Sequence, residues 1–239
     1  MTYTSELLNR ENVAEGTMSF HFRKPDGFEF RPGQWMVLTL ENPPETDAEG
    51  NIRTFSIASA PYEPALMVAT RMRDTAFKRV LRSLPLGTGV KLDGPGGSLT
   101  LQENADKPAV FLAGGIGITP FLSVLRQAAH TRLPRDLHLF YSNRRPEDAP
   151  FLDNLQELAR LNPNFHLVAT MTEMSKSSKP WSGETGFIDG QLLSKHLASL
   201  QGPIYYVAGP GAMVVAMRKA LAQAGVDKDD VRSEVFAGY

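Results

Sequence analysis

The chain has 239 residues, enough for one large domain or two medium ones with a sizeable core each, and two are expected. Its formal net charge is −1 with charges spread along the sequence, which excludes a nucleic-acid-binding stripe or an acidic tail. It has no cysteine, which excludes disulfides, thiolate catalysis and a cysteine-ligated iron–sulfur cluster within this chain and fits a reducing cytoplasm.

From the N-terminus to about Leu101 the texture is short β-type runs broken by turn residues. Met18 to Phe22 alternates, Trp35 to Leu40 is a longer run, and Arg53 to Ala58 and Leu66 to Thr70 continue the pattern; only Thr75 to Leu84 has helical spacing. Turn signals lie between at Pro25-Asp26-Gly27, Arg31-Pro32-Gly33, Asn42-Pro43-Pro44, Gly50-Asn51 and Asp93 to Gly97. Such spacing predicts a small antiparallel barrel or sandwich. The polar, proline-containing segment Glu41 to Asn51 reads as a solvent loop.

After about Gln102 strand and helix alternate. Apolar runs at Ala109 to Ala113, Leu137 to Tyr141, Phe165 to Thr170 and Ile204 to Ala208 are separated by helical patterns. Phe121, Val124, Leu125 and Ala128 share one helical face, as do Leu152, Leu155 and Leu158, and later Met213, Met217 and Leu221. Alternation of this kind predicts a parallel sheet with ligands beyond the carboxyl ends of its strands. The boundary falls near Glu103 to Lys107, giving a first domain 1–102 and a second 103–239.

The stretch Val110 to Pro120 carries the strongest signal. A buried strand runs into Gly114, Gly115 and Gly117, which permit a tight turn and close approach of phosphates, and Pro120 suits the first turn of the next helix. The helix end would then face outward as an anion site. The pattern is G-x-G-x-x-P rather than the six-residue dinucleotide fingerprint, so a turn that packs closely and binds nothing stays open.

In the first half, Arg53-Thr54-Phe55-Ser56 offers a planar fork for a phosphate, a ring for stacking and a hydroxyl for a ring nitrogen. Thr70-Arg71-Met72-Arg73-Asp74-Thr75 precedes the one helix of this half, and Asp74 and Thr75 are good N-cap types, so a second helix start with flanking arginines makes a second anion site. The second nucleotide strand ends Ser142-Asn143-Arg144-Arg145, with no acidic residue to grip a ribose diol. Ser142, Arg144 and Arg145 suit a 2′-phosphate, or the arginines are solvated loop charges or stack on adenine. No apolar run approaches membrane-spanning length, and the start MTYTSELLNREN lacks the features of a secretory signal. The five histidines, at 21, 130, 138, 166 and 196, show no metal-ligand spacing, so no metal site is expected.

Taken jointly, these motifs identify the chain as resembling the ferredoxin–NADP reductase family of flavoproteins. Arg31-Pro32-Gly33-Gln34 resembles its P-G-Q segment and Arg53 to Ser56 its R-x-Y-S flavin motif. Gly94 to Gly97 is similar to the G-P turn that closes the barrel, and Gly114 to Pro120 to the G-G-x-G-I-T-P turn. Ala208-Gly209-Pro210 with Met213 resembles C-G-x-x-x-M, and Glu234-Val235-Phe236 the terminal E-x-aromatic. The resemblance implies a flavin-binding antiparallel β-barrel followed by an α/β Rossmann-like parallel sheet that binds a nicotinamide nucleotide, with FAD favoured over FMN as cofactor and NADPH or NADH as co-substrate. It implies that Arg53 holds flavin phosphate, Phe55 lies against the isoalloxazine and Ser56 bonds near its N5. Thr70 and Arg71 would run beside the ribityl chain, and Thr75 would take pyrophosphate. Thr119 would sit near the nicotinamide, Glu234 would manage protons beside Ser56, and Phe236 would cover the flavin face. Gly209 and Pro210 join the nucleotide site, and Tyr239 packs on the cofactor or frays.

Two positions depart from the pattern. Phe55 stands for the usual tyrosine and loses its hydroxyl; Ala208 stands for the usual cysteine near the nicotinamide and loses a soft contact. Hydride would pass from nicotinamide to flavin, and electrons then singly to a separate carrier. Arg71, Arg73, Lys78, Arg79 and Arg82 form a basic cluster suited to steering an acidic partner such as a ferredoxin, or serve phosphate and a solvated helix face. Three functions follow: a bound-flavin NAD(P)H reductase, a reductase of free flavin, and a redox-sensing flavin module without turnover. The first is expected, in a cytoplasmic monomer with neither membrane nor nucleic-acid contact.

Overall fold

The computed structural model describes residues 1–102 and 107–236. Its first half is a six-stranded antiparallel sheet in the order β4-β3-β6-β1-β2-β5. The strands are β1 (Thr2–Ala14), β2 (Thr17–Arg23), β3 (Trp35–Leu40), β4 (Ile52–Ser56), β5 (Ala65–Arg71) and β6 (Gly89–Gly96). β1 is long because it serves two neighbours: Thr2 to Glu6 pairs with β6, and Leu7 to Ala14 pairs with β2. Beyond β4, the Ala58 N–H donates to the Met67 carbonyl at 2.7 Å, which joins the chain to β5 across the seam and curls the sheet towards a barrel. Helix α1 (Ala76–Ser83) buries Phe77, Val80 and Leu81 in the same core as Phe20, Phe22, Met36, Leu38 and Leu92.

The second half is a six-stranded parallel sheet in the order β10-β9-β8-β7-β11-β12, made of β7 (Ala109–Gly114), β8 (Leu137–Asn143), β9 (Phe165–Met171), β10 (Glu184–Thr185), β11 (Ile204–Gly209) and β12 (Val231–Val235). Helices α2 (Thr119–Thr131), α3 (Leu152–Leu161), α4 (Gly190–His196) and α5 (Gly211–Gln223) join them. Every residue of β7 and β11 is buried, as helices on both faces require. From β7 the sheet grows through β8 on one side and, after a crossover, through β11 on the other. The order therefore reverses between β7 and β11, opening a crevice at the carboxyl ends Gly114 and Gly209.

The two halves share an interior. Ala58, Met67, Ala69 and Leu99 of the first belong to the same apolar cluster as Phe111, Phe121, Leu122 and Tyr206 of the second. Buried Ser123 donates its hydroxyl to the Ser59 carbonyl at 2.7 Å, and Ser59 Oγ accepts from the Met67 N–H at 2.9 Å. Among the described residues no helix is long and apolar enough to cross a membrane.

The segment Glu41 to Asn51 is the largely exposed loop expected, and its carboxylates also find partners on the neighbouring wall. Glu45 holds Arg79 through two hydrogen bonds of 3.0 and 2.6 Å, Asp47 accepts from the Ala76 N–H at 2.9 Å, and Glu49 reaches Arg53 at 2.7 Å. The charges that read as solvation are satisfied by the cations and helix end of the neighbouring wall.

Candidate functional site

Two adjoining cavities occupy the crevice. The first, about 520 Å³, lies between the barrel and the parallel sheet. Arg53, Thr54, Phe55, Ser56, Thr70, Arg71, Arg73, Thr75 and Lys78 line it from the barrel side, and Ile116, Thr119, Glu234 and Phe236 from the other. The second, about 560 Å³, opens at the carboxyl ends of β7, β8 and β11 and is lined by Gly114, Gly115, Ser142, Arg144, Thr172, Glu173, Phe187, Pro210 and Met213, among others. Arg71 and Ile116 line both, so the two spaces meet there.

Ser56 ends β4 and is buried at 5% exposure, while Thr119 begins α2 at 2%, its hydroxyl donating to the Ile116 carbonyl at 3.0 Å. β12 carries Glu234 and Val235 to the same wall, and the Phe236 N–H is tied to the Gly209 carbonyl at 3.0 Å. Burial raises the Glu234 pKa, since the carboxylate loses water without gaining a cation. Ser56 and Glu234, far apart in sequence, therefore face one space.

The barrel wall of the first cavity is strongly cationic. Arg53 lies over the Phe77 ring with its guanidinium carbon 5.0 Å from the centroid, and its Nη2 is 2.7 Å from Glu49 Oε2 and 3.8 Å from Asp47. Lys78 Nζ donates to the Arg71 carbonyl at 2.7 Å. Burial, then the charges of Arg73 and Arg53, push the Lys78 pKa down. At the start of α1, Thr75 Oγ1 accepts from the Lys78 N–H at 3.4 Å, and Asp47 takes the Ala76 N–H. The Ala76 bond is the main reason the Asp47 pKa is lowered. A carboxylate therefore already sits at the helix end and beside Arg53, where an anionic group of a ligand would go.

The glycine turn is shaped by protein contacts as well as by space for a ligand. A Cβ at Gly117 would lie 2.3 Å from the Ala208 carbonyl oxygen, and one at Gly114 would lie 2.5 Å from Met213 Sδ. Gly115, at φ +51°, adopts a conformation that L side chains rarely take and lines the second cavity. A 3₁₀ turn over Gly115–Ile118 runs directly into α2, with Pro120 in its first turn. Ala208 is wholly buried in the shared core and lines neither cavity.

Several residues singled out in the sequence lie elsewhere. Asp74 is exposed and pairs with Arg79, and Gly117 and Gly209 pack turn against turn without lining a cavity. Arg145 turns away from the second cavity: its Nε and Nη2 are 2.8 and 2.9 Å from Asp148, and Nη2 is 2.7 Å from Glu15 in the turn after β1. It thus ties the two halves together. Arg144 is exposed, with Nε 3.9 Å from Glu173. Tyr239 falls outside the described residues. The basic cluster is also largely committed. Arg79 is held by Glu45 and Asp74, Arg71 lies 3.8 Å from Asp148, and among the described residues Arg73 and Arg82 are the cluster's arginines without an ion-pair partner.

Sequence reasoning missed Trp35, Glu49 and Lys78 of the first cavity as binding residues, and Phe187 and Glu173 of the second. Trp35 carried no sequence signal, because the glycines it packs on, Gly96 and Gly97, read as turn residues; in the structure a Cβ on them would sit 2.4 and 2.6 Å from its indole. Phe187, 80% exposed in a loop, had none.

The cations, the ring of Phe55 and the helix start fit a flavin carrying a diphosphate: burial first, and then the charges of Arg73 and Arg53, lower the Lys78 pKa, and an anion placed among these cations would offset their mutual repulsion. The family described as oxidoreductase NAD-binding domain matches residues 111–219. Ferredoxin–NADP reductase B of Sorangium cellulosum is 31% identical over 226 residues, covering 90% of this chain and 89% of that protein. The reductase component of propane 2-monooxygenase from Rhodococcus jostii is 30% identical over 219 residues, covering 89% of this chain but only 57% of its own length. The crystal structure of the FAD/NAD-binding domain of nitric oxide dioxygenase from Vibrio cholerae has the same fold, with TM-score 0.85, 19% identity and 98% of each chain covered.

Proposed function

The chain belongs to the ferredoxin–NADP reductase family, and from that premise we propose that it is an oxidoreductase that takes hydride from a nicotinamide nucleotide onto FAD and passes electrons singly to a separate carrier. The observation that supports this reading is the junction at Arg71 and Ile116, where a cationic, aromatic-walled cavity meets one at the switch point of a parallel sheet.

Bound flavin supplies the hydride-accepting ring and the ability to release two electrons one at a time. Arg53, Lys78 and the start of α1 hold its diphosphate, with Arg53 exchanging Glu49 for a phosphate oxygen. Phe55 lies against the ring, and Ser56 offers its hydroxyl at the ring edge. Glu234, whose buried carboxyl keeps a proton more readily than an exposed one, holds that proton beside Ser56. Phe236 would cover the ring face that the nicotinamide must occupy during transfer and would shield it from water. Gly114, Gly115 and Pro210 cradle the nucleotide phosphates at the crevice, Phe187 stacks on the adenine, and Ser142 with Arg144 takes a 2′-phosphate, favouring NADPH.

The electron acceptor is a separate, acidic one-electron carrier that approaches the barrel face bearing Arg73 and Arg82. An alternative, reduction of free flavin as a substrate, is favoured by Asp47 and Glu49, which occupy the phosphate donors and make the flavin exchangeable. One experiment separates them. A protein that stays yellow through ultrafiltration and bleaches with NADPH under anaerobic conditions supports the first reading; a colourless one that consumes NADPH only when flavin is added supports the second. Neither bleaching nor consumption overturns both.

A further inference from the structure

We propose that Asp136, His138 and His166 form a binding site for a divalent transition-metal ion of the Zn²⁺, Co²⁺ and Ni²⁺ class, at the amino end of β8 and β9. Strand register makes this site. His138 stands directly opposite His166 in the parallel pair, and Asp136 lies two residues before His138, hence on the same face. One donor atom from each of the three lies within 4.8 Å of the others. The two rings stack with centroids 4.6 Å apart, and His166 Nε2 is 3.5 Å from Asp136 Oδ1.

Two imidazoles and a carboxylate are the donor set that borderline cations prefer over Mg²⁺ or Ca²⁺. Three protein ligands leave a fourth tetrahedral position for water. Metal–nitrogen bonds of about 2.0 Å place donors roughly 3.3 Å apart, so the side chains must close in by about 1 Å. Asp136 and His166 are about half exposed and have room to do so, while His138 is the more enclosed anchor. The other groups facing the same groove are already paired: Glu184 accepts from Lys195 at 2.6 Å and bonds His196 at 2.9 Å.

The ion would clamp β8 to β9 at the end opposite Ser142 and Thr172, which line the nucleotide cavity. It has no place in hydride transfer, and it rests on nothing said above about flavin. Spacing along the chain conceals the site, since the histidines lie on consecutive strands with helix α3 between them.

The test is titration of the untagged full chain with CoCl₂, followed by calorimetry and by the visible absorption of bound Co²⁺. One ion per chain is expected with micromolar affinity, together with a rise in melting temperature. H138Q and H166Q should each abolish saturable binding, D136N should weaken it, and H21Q on the barrel should leave it unchanged. Circular dichroism of H166Q, which alters a half-exposed side chain, checks that the fold persists. Absence of saturable binding in the parent, or equal binding by parent and a folded H166Q, overturns the proposal.

Discussion

Replacing Gly117 by alanine tests whether the glycine turn is dictated by protein packing. The added Cβ would meet the Ala208 carbonyl oxygen at 2.3 Å, its carbon at 2.6 Å and Gly209 Cα at 2.8 Å, where ordinary contact begins at 3.4 Å. All three atoms are backbone of strand β11, which is paired on both sides, so no side chain can rotate away. The turn itself must move by about 1 Å, which belongs in the upper part of the overpacking range, about 2–3 kcal/mol. For a chain of this size the melting temperature should fall by about 4–12 °C. Because the same turn presents Gly115 and Ile116 to the cavities, KM for the nicotinamide nucleotide should rise as well. Gly190→Ala is the control: its Cβ meets nothing within 4 Å at the start of α4, and it should be neutral or slightly stabilising. The assay is thermal unfolding by circular dichroism with steady-state kinetics on the same preparations. If G117A melts with the parent and keeps its KM, the close approach of the two turns is wrong.

Arg53→Ala should weaken flavin retention by about 1.5–3 kcal/mol, the strength of a charge-assisted contact, whereas Glu49→Gln should strengthen it by removing the competitor; equilibrium dialysis reads both, and effects of the same sign refute the exchange. Glu234→Gln should stabilise the cofactor-free protein at neutral pH but not in acid. Burial raises the folded-state pKa above the ordinary value of about 4.3, so ionisation costs stability as pH climbs through the folded pKa, and nothing below the unfolded one. Melting curves from acid to neutral pH should show parent and variant converging at low pH. Arg144→Ala should raise KM for NADPH more than for NADH, while Arg145→Ala should lower stability and affect both nucleotides alike, since Arg145 bridges Asp148 and Glu15. Phe187→Ala should raise KM for both nucleotides and leave flavin retention unchanged.

The parallel half was legible because its strands are covered on both faces. Val110 to Ala113 and Ile204 to Ala208 are unbroken apolar runs, and all of these residues are buried. In the antiparallel half, Met18, Phe20 and Phe22 face inward as their alternation predicts. β1 was not individually legible, because it changes neighbours at Leu7 and its burial pattern loses its period. β6 was masked by Gly94, Gly96 and Pro95, which read as turn residues. Gly96 is instead part of a strand because only a residue without a side chain fits beneath Trp35. Within the site, Arg53 to Ser56 and Glu234 to Phe236 were legible as motifs, since local sequence fixes where each wall begins. What each charge touches was not. Arg145 pairs with a glutamate 130 residues away, and Glu45 with an arginine 34 residues away. The first comes from the packing of the barrel half against the parallel half and the second from the loop after β3 meeting α1, and no local pattern records either.

Pairing of this kind bears on how the cavities select ligands. A bare arginine would gain the full benefit of a phosphate; one already held by a carboxylate gains only the difference between the two partners. Arg53 stands in the second condition beside Glu49 and Asp47, and Arg71 shares Asp148 with Arg145. Charge alone therefore discriminates weakly between phosphate-bearing molecules at these sites. On the proposed function, selection would fall to what a carboxylate cannot imitate: a flat ring between Phe55 and the Ser56 edge in one cavity, and an adenine against Phe187 in the other. A simple anion such as inorganic pyrophosphate, lacking both rings, should then compete poorly with flavin even at high concentration, while riboflavin without any phosphate should retain measurable binding.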